Sequence, residues 1–202
     1  MKYCYLAAPV LLLGYGLARM IDGIDGSRGP GPAWTIGHLL YLISLGLFGV
    51  VLVGLRNALP RYRAAGTVAV VAGAVGLVAF VRVVVVDIIV GLRAVDRAGM
   101  HELFLRYERS PGFLPSGLVS ALDLIGQVFF PASVILLTVL VATVAPRRLR
   151  WWSPVLTVVG FALFGLNLDL LPLGAVAMVC GLLPMTGVSA GRGPVVAVAG
   201  RR

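Results

Sequence analysis

The chain reads as an all-α, polytopic transmembrane helix bundle of six spans, with both ends on the inner side of the membrane. Apolar residues gather into six long runs, and the segments between them alternate in charge. Lys2, Arg56, Arg61, Arg63, Arg147, Arg148, Arg150, Arg192, Arg201 and Arg202 occupy the odd-numbered segments, which contain no Asp or Glu. Asp22, Asp25, Asp96, Glu102, Glu108 and Asp169 occupy the even-numbered loops, while Asp87 and Asp123 sit near or within apolar runs. Basic segments free of acids mark the cytoplasmic side of a multi-pass protein, so the pattern predicts orientation as well as class. Composition agrees. Residues are 59% hydrophobic and 12% charged, whereas about a quarter are charged in a soluble domain.

The first run, 3–20, is apolar for 18 residues, about the minimum for a span. A lone Lys2 before it and no clean small-x-small site after it favour a retained span over a signal peptide. A Gly- and Pro-rich loop follows, and the second span, 34–55, opens on Trp34 where an interfacial aromatic is expected. The third span is 64–90. In the long loop 91–115, Leu92, Val95, Leu103, Phe104 and Tyr107 recur at helical spacing among Arg93, Asp96, Arg97, Glu102, Arg106 and Glu108. This predicts an amphipathic helix on the outer surface, ended by Pro111 and Pro115. The fourth span, 117–144, starts after Ser116 as an N-cap. The fifth, 151–166, starts at Ser153 as cap with Pro154 at the first helical position. The turn at Asn167 leads directly into the sixth, 170–188. That last pair is short, and a count of five spans, or a re-entrant hairpin over 151–188, are the alternatives. Residues 1–190 form one domain, and 191–202 form a mobile basic tail. Gly14 with Ala18, Ala65 with Ala69 and Gly73, Ala72 with Gly76, and Ala177 with Gly181 are spaced for close helix contact.

Polar groups inside the spans carry the functional reading, because an ionisable side chain in lipid needs a partner or a purpose. Arg82 lies eight residues inside the outer end of span three, about 12 Å, and Asp123 six residues inside that of span four, about 9 Å. The two spans are consecutive and antiparallel, so an Arg82–Asp123 ion pair is expected. Gln127 is one turn from Asp123 on the same face. Pro131 then frees the Gln127 carbonyl and kinks the helix. His38, one turn inside span two, completes an outward-facing cluster with Arg82, Asp87, Asp123 and Gln127. Asp87 is about 140° round the helix from Arg82 and is expected to meet the loop helix or water.

Other chemistry is demoted. The net charge of +9 sits in Arg clusters at span ends, which fits anionic lipid at the inner face and not nucleic acid. Two cysteines, Cys4 and Cys180, supply neither a disulfide framework nor a Cys-based metal site. Only His38 and His101 are present, too few for paired haem ligation. His101-Glu102 lacks the second His of a zinc-protease motif, because position 105 is Leu105. No metal or cofactor is expected. The leading function is a small transport or ligand-capture, permease-type subunit. A non-catalytic accessory or scaffold subunit is the first alternative, and an enzyme acting on lipid or headgroup at the outer leaflet the second. The expected partners are the bilayer itself and either a small-molecule ligand or another membrane protein. The expected location is a cell membrane, bacterial on the bias of sixteen Arg to one Lys.

Overall fold

Apolar runs in lipid have no water to satisfy their backbone amides, so each run closes its own hydrogen bonds as a helix. The computed structural model describes residues 1–24, 28–109 and 116–187, apart from the side chains of 108, 109 and 116–119. Asp25, Pro111, Pro115 and the tail 191–202 therefore lie outside the described residues. The helices are α1 (Cys4–Asp22), α2 (Pro32–Asn57), α3 (Arg63–Arg93), α4 (Arg97–Arg109), α5 (Ser116–Val144), α6 (Trp152–Leu166) and α7 (Leu171–Leu182). Short 3-10 turns, Leu168–Leu170 and Leu183–Thr186, flank α7. Five helices are long and apolar enough to cross a membrane, with Leu168–Thr186 as the last of them. The described residues are all-helical, and these five helices have the length and composition of a multi-pass membrane protein. α6 has 15 residues, roughly 22 Å, short of a hydrocarbon core of roughly 30 Å.

Six of the helices form a closed ring in the order α1, α2, α3, α5, α6, α7 and back to α1. Each neighbour runs antiparallel to the next. Along α1 and α2, Tyr5 meets Gly54, Ser44 meets Ala8, and Gly37 meets Ala18. Along α2 and α3, Leu52 meets Gly73 and Trp34 meets Gly91. Gly16 of α1 rests on Leu171 and Pro172 at the start of α7, which closes the ring. One end of the bundle thus gathers Arg19, Arg28, His38, Asp87 and Asp169, and is called the acidic end. The other gathers Lys2, Asn57, Arg147 and Arg148, and is called the basic end. α4 packs outside the ring, against α3 at the acidic end.

All six ring helices send large side chains to the centre. Leu12, Tyr41, Phe80, Phe130, Phe164 and Met178 surround a residual cavity of about 10 Å³. Phe130 makes edge-on contacts with Phe48, Phe80 and Phe161, with centroids 5.4, 5.9 and 5.6 Å apart. Edge-to-face packing at this spacing suits the ring quadrupoles. Where backbones touch, glycine is required. A Cβ on Gly174 would lie 2.6 Å from the Gly160 carbonyl oxygen, and one on Gly160 would lie 2.8 Å from that of Gly174. Ser44 adds a polar tie, donating to the Ala8 carbonyl at 2.8 Å in a fully buried site. Ser44→Ala should cost about 0.5–1 kcal/mol, the usual scale for one interhelical hydrogen bond in lipid, read as a lower midpoint in detergent unfolding.

Several local expectations are corrected. Leu92 belongs to α3 and Val95 to the extended linker, where it is 97% exposed. The apolar face of α4 is instead Met100, Leu103, Phe104 and Tyr107. Asp96 caps this helix, accepting from the Gly99 amide at 2.7 Å. Its carboxylate satisfies an amide that has no partner within the helix. Ser153 is not the cap of α6. The helix begins at Trp152, and the buried Ser153 hydroxyl has no hydrogen-bond partner.

Candidate functional site

His38 and Trp34 stand one turn apart on α2, so their rings share a face and lie with centroids 4.3 Å apart. The His38 Nδ1 is 2.7 Å from the Trp34 carbonyl oxygen. A carbonyl can only accept, so Nδ1 carries the hydrogen and donates. The other ring nitrogen, Nε2, is 3.5 Å from Oδ2 of Asp87 on α3. Two bare lone pairs facing one another at this distance repel. The arrangement is favourable only when one proton sits on Nε2 or on the carboxyl. His38 is 4% exposed, so the imidazole side of the contact is held out of bulk water, while the Asp87 side chain is 23% exposed. Trp34 locks the geometry from the side, its Nε1–H donating to the Asp87 carbonyl at 3.0 Å. Gly91, one turn beyond Asp87, leaves room for the indole, which any Cβ there would meet. Tyr15 of α1 sets its ring edge-on to His38, with centroids 5.3 Å apart, and stacks on Tyr41 at 4.7 Å.

Beside His38, a cavity of about 10 Å³ is lined by Tyr15, Arg19, Asp22, Ala33, Trp34 and Gly37. That volume admits about one water. Above it, Asp169 in the turn between α6 and α7 accepts a hydrogen bond from Arg28 and lies 3.7 Å from Arg19 Nε. Asn167 sets this turn by accepting from the Asp169 amide at 2.9 Å. Three separate stretches of chain thus meet at a single carboxylate, which ties the acidic end of the ring together.

Arg82 and Asp123 form a second centre on a different seam. Arg82 Nη1 donates to Asp123 Oδ1 at 2.7 Å, with side chains 28% and 36% exposed. The helices are brought together there by Gly126, whose missing Cβ would lie 2.9 Å from that of Ala79.

The sequence-predicted residues therefore divide. His38 joins Asp87 across α2 and α3, and Arg82 joins Asp123 across α3 and α5. Five residues separate Arg82 from Asp87, so α3 presents them to different neighbours. Asp87 meets His38, which was not expected for it, and its side chain stays 23% exposed. Gln127 is exposed on α5 and does not extend the Arg82–Asp123 pair inward. Arg19, Arg28, Asp169, Tyr15 and Trp34 were not expected at a site. Arg19 alone carried a signal, being a cation three residues before the end of α1 in the acid-bearing half. Among the described residues, no group of three His, Cys, Asp or Glu side chains is placed to hold a metal ion. No protein-family model, curated protein or solved structure matches the chain.

Proposed function

We propose that this protein is a small transport-type subunit with an outward-facing site, centred on a proton held between His38 and Asp87. The observation that carries this reading is the buried His38 ring, with Nδ1 committed to a backbone carbonyl and Nε2 facing a carboxylate. Such a pair is costly in a membrane helix unless it binds or releases something. The pair has a water-sized cavity on one side and a rim of Arg19, Arg28 and Asp169 above it. With the basic end taken as cytoplasmic by the positive-inside rule, this site opens outward. The spans are read as six, since α6 links the same two ends as α1 does.

The accessory reading draws on a separate observation. Arg82–Asp123 and the glycine seams fix helix register, which a purely packing subunit also needs. An acid–base enzyme reading has its His–carboxylate pair, but the cavity beside it is water-sized.

Trp34 supplies one test, because its ring lies 4.3 Å from that of His38. His38→Gln should shift the Trp34 emission, while Trp151 and Trp152 stay unchanged. Proton flux across liposomes holding the purified chain should be lost in Asp87→Asn. A stoichiometric protein partner in native mass spectrometry, together with flux unaffected by Asp87→Asn, would favour the accessory subunit.

A further inference from the structure

A wider cavity lies at the opposite end of the bundle from this site. It measures about 410 Å³ and lies between the start of α1, the end of α2, the turn joining α5 to α6, and the end of α7. Its polar lining is Lys2, Tyr5, Asn57, Arg147 and Arg148, and among the described residues no carboxylate lines it. Among the described residues, none of the three cations has an ion pair. Lys2 sits over the Tyr3 ring at 5.4 Å, a contact that leaves its charge uncompensated. The acids nearest in sequence to this end, Asp22, Asp123 and Asp169, are all carried at the acidic end or well along the bundle from it.

The cavity walls are fixed. Leu149 is fully buried and pins the turn that carries Arg147 and Arg148. The Arg148 and Leu149 amides both donate to the Ala145 carbonyl, at 2.8 and 3.2 Å. Gly54 has no side chain where the Tyr5 hydroxyl lies, so the phenol reaches across to α2. Gly187 takes φ +75°, a left-handed conformation natural to glycine.

We propose that this cavity is a binding site for a phosphoryl anion, gripped by Lys2, Arg147 and Arg148 with Tyr5 and Asn57 as hydrogen-bonding groups. Guanidinium groups match phosphate oxygens in geometry as well as charge. The volume falls at the low end of the roughly 300–1,000 Å³ typical of ligand pockets. This is narrower than a charged rim attracted to an anionic surface, because it assigns the anion to one open cleft and to named residues. It is also independent of the His38–Asp87 reading.

The test titrates the full chain in detergent with phosphatidylglycerol, phosphatidylcholine or inorganic phosphate, with binding followed by native mass spectrometry. Phosphatidylglycerol or inorganic phosphate should bind in preference to phosphatidylcholine, and whichever binds names the source as lipid or solute. Each cation removed should weaken binding about fivefold, the scale of one basic residue at an anionic surface. Arg147→Gln with Arg148→Gln should therefore lose far more than Arg61→Gln with Arg63→Gln, two exposed cations outside the cavity. Arg147→Lys with Arg148→Lys should recover much of the loss. Lys2→Gln, at an exposed position, gives the same reading should the double variant fail to fold. Equal losses in the two double variants, or no preference over phosphatidylcholine, would overturn the site.

Discussion

Gly76→Ala is expected to lower the stability of the bundle by about 1–3 kcal/mol, the cost of overpacking a close seam. An added Cβ would lie 2.5 Å from the Phe130 amide nitrogen and 3.0 Å from the Phe130 Cβ. The nearest obstacle is backbone, which cannot swing aside as a flexible side chain can. Relief therefore requires α3 and α5 to move apart, and Phe130 is the residue on which Phe48, Phe80 and Phe161 converge. Gly46→Ala is the matched control, because nothing lies within 4 Å of a Cβ there. Alanine in an open helical site should be neutral or stabilising by roughly 0.5–1 kcal/mol. Reversible unfolding in mixed detergent would compare the two. Similar midpoints for both variants would show that the α3–α5 seam is looser than described.

The second large effect concerns the Arg82–Asp123 pair. Arg82→Leu should cost about 2 kcal/mol, because it strands a carboxylate inside a span whose partner is gone. The magnitude is set below that of a fully buried pair because both side chains are partly exposed. Asp123→Leu should cost a similar amount. Arg82→Leu combined with Asp123→Leu should fold close to the wild type, since two matched apolar residues remove both desolvation penalties together. Swapping the charges, Arg82→Asp with Asp123→Arg, should likewise recover most of the loss. In every one of these variants the Trp34 emission should match the wild type, because Asp87 and Arg82 of α3 face different neighbours, His38 of α2 and Asp123 of α5. Single variants as stable as the wild type would remove the pair's structural role. A changed Trp34 emission in the charge swap would instead couple the two centres.

How much was legible follows from how each feature is encoded. The long apolar helices were readable because hydropathy runs are properties of contiguous sequence. The Arg82–Asp123 contact was also readable, because consecutive antiparallel helices convert depth along the chain into proximity. The same arithmetic was available for His38 and Asp87. There the rotation of Asp87 away from Arg82 was used to turn it toward the loop, when it also turns Asp87 toward α2. The Arg19–Asp169 contact was beyond reach, because it depends on the first and last helices being neighbours, which no local pattern records. The end of α3 was misplaced for another reason. Hydrophobicity stops at Val90, but the helix stops only where Ala94 adopts an extended conformation. The close approach of Gly160 and Gly174 was hidden by the abundance of glycine, 26 residues in all.

The closed ring also bears on how the chain assembles. Every seam but one joins helices adjacent in the ring and near in sequence, so most packing can form as successive hairpins enter the membrane, with little loop entropy lost. The remaining seam, between α1 and α7, must wait for the last helix. Until then α1 has packed only against α2, and its Gly16 face borders lipid. A chain halted before α7 would keep the His38–Asp87 pair and the α3–α5 seam, but would lack the wall that Asp169 and its turn provide. The acidic-end site is in that sense finished last, by the part of the chain farthest in sequence from where the site begins.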